Sequence, residues 1–320
     1  MMKAVVVNSF LKDKHKEMIR KVIEPAGGKV CFVDSEDDIP EDYSEPDVIY
    51  GFAMKTVASD KNLKWLCVTS AGVDFLFKPG LFANEDCMVT YSSGSYGVSI
   101  AEHIIAVSLM MMRKLTVHYA LTINKQWGKP ISQRSLKNSS IAVLGTGDIG
   151  RCFAKRVRAF EPEKILGVSK SGKCEEELFD GMYKTEELDS ILPETDLLVM
   201  SLPDTPETRG LLSRERIKLL PDDAFVVNVG RGSAIDEDAL ADALEEGKIA
   251  GAALDVFSTE PLPADNRLWN TPNLLITPHI AGNLTLEYTL DKNVEMFCED
   301  MKNFTEGRPL KYLLDRQKGY

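Results

Sequence analysis

Ile141-Ala142-Val143-Leu144-Gly145-Thr146-Gly147-Asp148-Ile149-Gly150 runs a hydrophobic strand straight into a G-x-G-x-x-G turn. Residues 151–160 follow as a helical segment, which Glu161-Pro162 ends. The motif alone is a weak signal, but wedged between a buried strand and a helix it is a strong one. Gly145 permits the tight turn, Gly147 lets the backbone approach a pyrophosphate, and Gly150 allows close packing of helix on strand. The helix N-terminus adds unpaired N–H groups and a partial positive charge. With Thr146, Asp148 and Ile149 between them, these glycines form the expected dinucleotide loop.

The pattern continues on both sides. Downstream, strands are expected at residues 165–168, 197–202, 225–229, 249–256 and 274–277, interleaved with helices; residues 236–247 form the clearest, acidic in the first turn and closed by Gly247. Upstream, strand candidates lie at residues 3–7, 30–33, 48–52, 65–69 and 88–91, with a helix at 13–25 and a long apolar helix at 98–113. Alternating strands and helices imply parallel sheets covered by helices. At 320 residues the chain exceeds what one hydrophobic core usually organises, so two α/β domains are expected.

Composition narrows the function. Asp plus Glu exceeds Lys plus Arg by 49 − 38 = 11, giving a net charge of −11, which argues against a nucleic-acid partner. The six cysteines are scattered, without C-x-x-C or a histidine at metal-ligand spacing, so reduced thiols in the cytoplasm and no metal site are expected. The N-terminal apolar run stops at Asn8, too soon for a secretion signal. The longest apolar stretch, residues 104–112, is well short of the ~20 residues of a membrane span. No membrane partner is expected.

Just after the strand at 165–168 the chain reads Ser169-Lys170-Ser171, with Ser169 lying 169 − 150 = 19 residues past the last motif glycine. An NAD-preferring loop carries an acid there; here a cation and two hydroxyls suit a 2′-phosphate instead. NADP(H) is therefore the expected cofactor, with NAD(H) the alternative. Three more polar residues sit at ends of later strands, where open α/β sheets place their chemistry. Arg231 lies between Gly230 and Gly232, which are expected to let a ligand approach the backbone, and its guanidinium suits a carboxylate. Glu260 precedes Pro261, and His279 stands in Thr277-Pro278-His279. Singly they read as a surface Arg, a loop Glu and a packed His. Together they match reduction of a 2-keto acid: a cation for the carboxylate, an acid–base group for the carbonyl oxygen, and a carboxylate that orients it.

Over nearly its whole length the chain resembles the D-isomer-specific 2-hydroxyacid dehydrogenase family. Ser70-Ala71-Gly72-Val73-Asp74, the Gly-rich loop, Asn228-Val229-Gly230-Arg231-Gly232, Leu254-Asp255-Val256-Phe257 and Thr277-Pro278-His279 occur in the family's order. The resemblance implies that Arg231 clamps the substrate carboxylate and that His279, paired with Glu260, is the general acid in reduction. It implies that backbone N–H groups of Ala71 and Gly72 bind the same carboxylate. It also implies that Asp255 contacts the nicotinamide carboxamide, and that Leu202-Pro203 and Val229-Gly230 line the cofactor. The implied fold is two Rossmann-like or flavodoxin-like parallel-sheet domains with the active site in a cleft between them. A substrate domain of residues 1–97 plus 287–320 would enclose a dinucleotide domain of residues 98–286, and the helix from Val98 would help form a homodimer. His103, on that helix, is expected to be structural.

Members acting on 3-phosphoglycerate carry arginines after the second substrate-domain strand. Here that stretch is Tyr50-Gly51-Phe52-Ala53-Met54-Lys55, mostly apolar, with only Lys55 to offer a phosphate. The chain is closer in character to the glyoxylate/hydroxypyruvate reductases. An NAD-dependent D-3-phosphoglycerate dehydrogenase and a non-enzymatic, dinucleotide-sensing corepressor are the alternatives.

Overall fold

The chain opens with β1 (Lys3–Val7), α1 (Asp13–Ile23), β2 (Lys29–Val33), β3 (Val48–Gly51), α2 (Met54–Ser59), β4 (Trp65–Val68) and β5 (Met88–Tyr91) in the computed structural model, which describes residues 1–174 and 177–316. The five strands pair in parallel in the order β2-β1-β3-β4-β5. β3 and β4 are buried along their whole length. Their apolar runs lack alternation because a parallel sheet is covered on both faces.

Then follow α3 (Gly97–Met112), α4 (Leu115–Ile123), β6 (Ser140–Leu144), α5 (Asp148–Val157), β7 (Lys164–Ser169), β8 (Gly181–Lys184), α6 (Leu188–Ile191), β9 (Leu197–Met200), α7 (Arg214–Ile217), β10 (Phe225–Asn228), α8 (Glu237–Glu245), β11 (Gly251–Leu254) and β12 (Leu274–Ile276). Their sheet is also parallel, in the order β12-β11-β10-β9-β6-β7-β8. Strand order runs outward from β6 in both directions. This is the doubly wound dinucleotide-binding arrangement, whose switch point lies at the carboxyl end of β6, where the Gly-rich loop begins. The last helix, α9 (Glu287–Thr305), packs against α1.

Two units result, Met1–Tyr96 with Asn283–Tyr320, and Gly97–Gly282. Gly97 belongs with the second because a Cβ there would run into the Asp148 carboxylate and the Cys152 thiol of α5. In the first unit, Ile19 and Ile23 of α1 and Val294, Phe297 and Met301 of α9 bury against Val6, Tyr50 and Trp65. Tyr50 and Phe297 stack at 4.3 Å. His15, without a motif around it in the sequence, is fully buried: it accepts the Lys12 N–H at Nδ1 and joins Asp291 of α9 through Nε2 at 2.7 Å.

Two elements escape the sequence pattern. No residue of α4 is buried, so its apolar residues set no one-sided helical period against the core. β8 is a half-buried edge strand, Gly181-Met182-Tyr183-Lys184, without a hydrophobic run. The helix expected from residue 151 begins at Asp148 instead, because Gly147 is its N-cap. Among the described residues no single helix is long and apolar enough to cross a membrane; α3 and α4 qualify only as a pair bent by 69°.

Candidate active site

The Gly-rich loop divides its three glycine tasks as the motif requires. Gly145 has φ +95°, a left-handed conformation, and a Cβ there would lie 2.8 Å from the Ser201 carbonyl. A Cβ on Gly150 would overlap the Gly145 carbonyl, so the helix could not approach its strand. A Cβ on Gly147 would meet nothing within 4 Å; it would fill the open space that a pyrophosphate needs. No side chain caps the N-terminus of α5, and this fits a bound anion. Thr146 is nearly buried, with its carbonyl accepting from Arg151, and Ile149 follows Asp148 in the first turn of α5.

Beside this loop, Ser169 ends β7, and the Ser169 and Ser171 hydroxyls lie 3.4 Å apart. Lys170 Nζ reaches 3.1 Å to Glu207 Oε1, both side chains being mostly exposed. Glu207 was given no role from sequence. It lies in the segment after β9, the strand on the other side of β6 from β7, so the pair joins the two loops that flank the phosphate turn. In the same segment Pro203 accepts the Thr208 hydroxyl.

Arg231 leaves the end of β10 held by its own backbone. Asn228 accepts the Gly230 N–H through Oδ1 and donates Nδ2 to the Arg231 carbonyl at 2.9 Å. The guanidinium donates to the Gly230 carbonyl at 2.8 Å and stands near enough to Asp204 to lower that carboxyl, after Arg209 and Ser233. The flanking glycines turn out to serve the protein itself. A Cβ on Gly230 would lie 2.5 Å from the Leu202 N, and one on Gly232 would overlap the Phe257 and Ser258 backbone. Three strand ends crowd there, with Val229 buried among them.

His279 is the most constrained residue of the group. Its φ is +53°, a left-handed backbone for a non-glycine residue. That turn sends the Ile280 N–H to Asp255 Oδ1 and the Ala281 N–H to Oδ2, each at 2.9 Å, while the His279 N–H bonds the Asp255 carbonyl at 2.8 Å. Thr277 donates its hydroxyl to the same Oδ1 at 2.6 Å. Asp255, only 2% exposed, is thus the anchor of the 277–281 loop. Sequence gave no hint that both its oxygens are taken up inside the chain.

The His279 ring turns outward. Nδ1 lies 2.7 Å from Glu260 Oε2, and Glu260 Oε1 accepts the Phe257 N–H at 2.8 Å. A carboxylate only accepts, so Nδ1 carries hydrogen and Nε2 faces solvent, holding a lone pair or a transferable proton. The imidazole is about half exposed and the carboxylate about a third. Nearby, Glu237 accepts the Ser258 N–H; burial pushes its carboxyl up, and the Asp238 and Glu260 charges add to this.

In the first unit, the segment after β4 carries Ala71 and Gly72. The Ser70 hydroxyl donates to the Gly72 carbonyl at 2.7 Å. Beneath it, Asn293 of α9 accepts the Tyr50 hydroxyl and donates to the Thr69 carbonyl, which the Tyr96 hydroxyl also bonds. A buried helix residue far away in sequence fixes the start of this loop. Among the described residues no group of three or more His, Cys, Asp or Glu is placed to hold a metal ion.

Residues 105–281 match the family model described as D-isomer specific 2-hydroxyacid dehydrogenase, NAD binding domain. A solved D-isomer specific 2-hydroxyacid dehydrogenase family protein from Aeromonas salmonicida is 31% identical, covers 98% of this chain and 99% of its own, and superposes with a TM-score of 0.87. An NADPH-dependent glyoxylate/hydroxypyruvate reductase from Sinorhizobium meliloti, solved with NADP and sulfate, is 25% identical over the whole of both chains, with a TM-score of 0.81. Glyoxylate/hydroxypyruvate reductase A of Salmonella paratyphi C is 29% identical over 89% of each chain. The chain belongs to the D-isomer specific 2-hydroxyacid dehydrogenase family, and is an oxidoreductase for small 2-hydroxy acids with a nicotinamide-dinucleotide-binding domain.

Proposed function

We propose that this chain reduces a small unphosphorylated 2-keto acid, such as glyoxylate or hydroxypyruvate, to the D-2-hydroxy acid, with NADPH as preferred hydride donor and NADH as the lesser one. The observation that carries the reading is the Glu260–His279 pair, with Nε2 outward, in the same unit as Arg231 and a dinucleotide loop. The bound dinucleotide supplies the hydride to the carbonyl carbon. Arg231 holds the substrate carboxylate and draws charge toward the carbonyl oxygen. His279 gives its Nε2 proton to that oxygen, and Glu260 stabilises the imidazolium beforehand and keeps the ring in register. In oxidation the same nitrogen takes the proton back. Ala71 and Gly72 offer further N–H donors for the carboxylate, which makes Met1–Tyr96 with Asn283–Tyr320 the substrate unit and Gly97–Gly282 the cofactor unit.

Two features support the choice of substrate and cofactor. Lys55 is the one cation of the Tyr50–Lys55 stretch, and with its ammonium shared with Asp37 and its backbone N–H given to Glu36 it offers a phosphate ester a single, partly neutralised charge and no cluster of arginines. The turn after β7 carries Ser169, Lys170 and Ser171 where an acid would repel a 2′-phosphate, and the Glu207 carboxylate that meets Lys170 comes from the segment after β9. A second copy of the chain is the partner that the exposed α4 suits, and a reducing cytoplasmic setting suits six unpaired cysteines.

The test is the initial rate of NADPH and of NADH oxidation with glyoxylate, hydroxypyruvate, pyruvate and 3-phosphohydroxypyruvate. Faster NADPH turnover with the unphosphorylated acids is expected. NADH preference with the phosphorylated acid would replace this reading with a phosphoglycerate dehydrogenase, and tight cofactor binding without any turnover would replace it with a dinucleotide-gated binding protein.

A further inference from the structure

His103 lies on α3, and its Nε2 is 3.3 Å from the Thr277 hydroxyl oxygen. Proton accounting fixes the direction of this contact. Thr277 has one hydroxyl hydrogen, and at 2.6 Å it goes to Asp255 Oδ1, which already accepts the Ile280 N–H. The Thr277 oxygen can then only accept, so His103 Nε2 must carry hydrogen and donate. A directed chain results: His103 Nε2–H to Thr277 Oγ1–H to Asp255, whose two oxygens hold the backbone on either side of the left-handed turn at His279. Every member lies in the Gly97–Gly282 unit.

We propose that His103 is a positioning residue of the reaction, acting through Thr277 and Asp255 on the loop that presents His279. Without its donor, Thr277 is free to rotate its hydroxyl away from Asp255. The carboxylate then loses a charge-assisted hydrogen bond, and the 278–281 turn, strained at a non-glycine left-handed residue, loses part of what over-determines it. Burial depresses the His103 pKa, with the Asp255 charge opposing, which favours the neutral ring. The neutral Nε2–H tautomer is the one that the chain of bonds requires. Sequence alone placed His103 as a packing residue on a helix; the relay appears only when α3 and the end of β12 are brought together.

The inference rests on His279 being the acid–base group, and the experiment separates the two. Four proteins are compared: wild type, His103→Leu, Thr277→Val and the double variant. We expect His103→Leu to lower kcat about tenfold, inside the ~100-fold that a 1 Å misplacement of a reacting group can cost, with the cofactor Kd changed less than twofold. In the Thr277→Val background, where the relay is already cut, His103→Leu should cost nothing further. His103→Gln places an N–H near the position of Nε2 and should recover most of the rate, whereas His103→Asn, too short to reach Thr277, should not. Multiplicative losses in the cycle, or equal rates for the Gln and Asn variants, would overturn the relay and leave His103 a packing residue. The Gln and Asn pair decides the matter if His103→Leu does not fold. Should His279→Ala turn over at the wild-type rate, the acid–base reading itself fails, independently of the cycle.

Discussion

At the scale of single residues, the site depends on two side chains held by quite different means. His279 is placed by its backbone: a left-handed turn, at a cost of roughly 1–3 kcal/mol, is held by the Asp255 carboxylate, and only the ring is left to Glu260. Arg231 is placed by glycines that let three strand ends crowd together. Replacing the ring should therefore spare the loop. His279→Ala is expected to lower kcat by about 10²–10⁴-fold, the usual contribution of a general acid, while cofactor titration by fluorescence stays at the wild-type Kd. Arg231→Ala removes both charge-assisted hydrogen bonds of a bidentate clamp, ~1.5–3 kcal/mol each, so kcat/KM for the keto acid should fall at least ~100-fold. An unchanged kcat/KM would remove Arg231 from carboxylate recognition. These residues were legible because glycine, proline and charge sit at fixed offsets from strand ends. Thr277 and Asp255 stand in the same motifs, but their joint task was not legible, since it depends on which backbone N–H groups a turn aims at one carboxylate.

At the scale of elements, most strands and helices announce themselves by apolar runs, and β1 and β5 lie at the residues expected. The misses share one cause: α4 and β8 bury too little to leave a pattern. The cofactor rim shows what pairing of elements adds. Ser169-Lys170-Ser171 after β7 reads as a phosphate-binding turn, but the fold brings Glu207 from the segment after β9 onto Lys170. An exposed ion pair of this kind contributes ~0.2–1 kcal/mol, so Glu207 is a weak competitor for the cation and not a block. Glu207→Gln should lower KM for NADPH by about two- to fivefold and leave KM for NADH unchanged, by the same few tenths to one kcal/mol. Lys170→Asp should act in the opposite sense, turning the NADPH/NADH ratio of kcat/KM toward NADH by about tenfold or more, as a carboxylate replaces the cation facing a 2′-phosphate. If neither variant moves that ratio, selectivity is read elsewhere on the rim.

At the scale of the whole molecule, the strand orders of the two sheets were beyond reach of periodicity, because order in a sheet is a tertiary property. The resemblance supplied what periodicity could not, including a second unit inserted into the first. One large feature has no use within a single chain. α4 buries none of its residues, and Val117, Tyr119 and Ile123 on it, with Trp127 just beyond, are exposed, Trp127 completely. Solitary apolar residues at a surface are ordinary, but a whole helix of them signals a covered face, and a second copy is the occupant proposed here. Each chain carries −11, so two copies repel over long range and must be joined by apolar burial. Light scattering should therefore give twice the monomer mass at 0.15 M salt, with the dimer Kd weakening as salt falls and screening is lost. Val117→Asp with Ile123→Lys should yield monomers that keep the wild-type circular dichroism spectrum. A monomer mass for the wild-type chain at every concentration, or a double variant that still dimerises, would mean that α4 faces solvent or another partner.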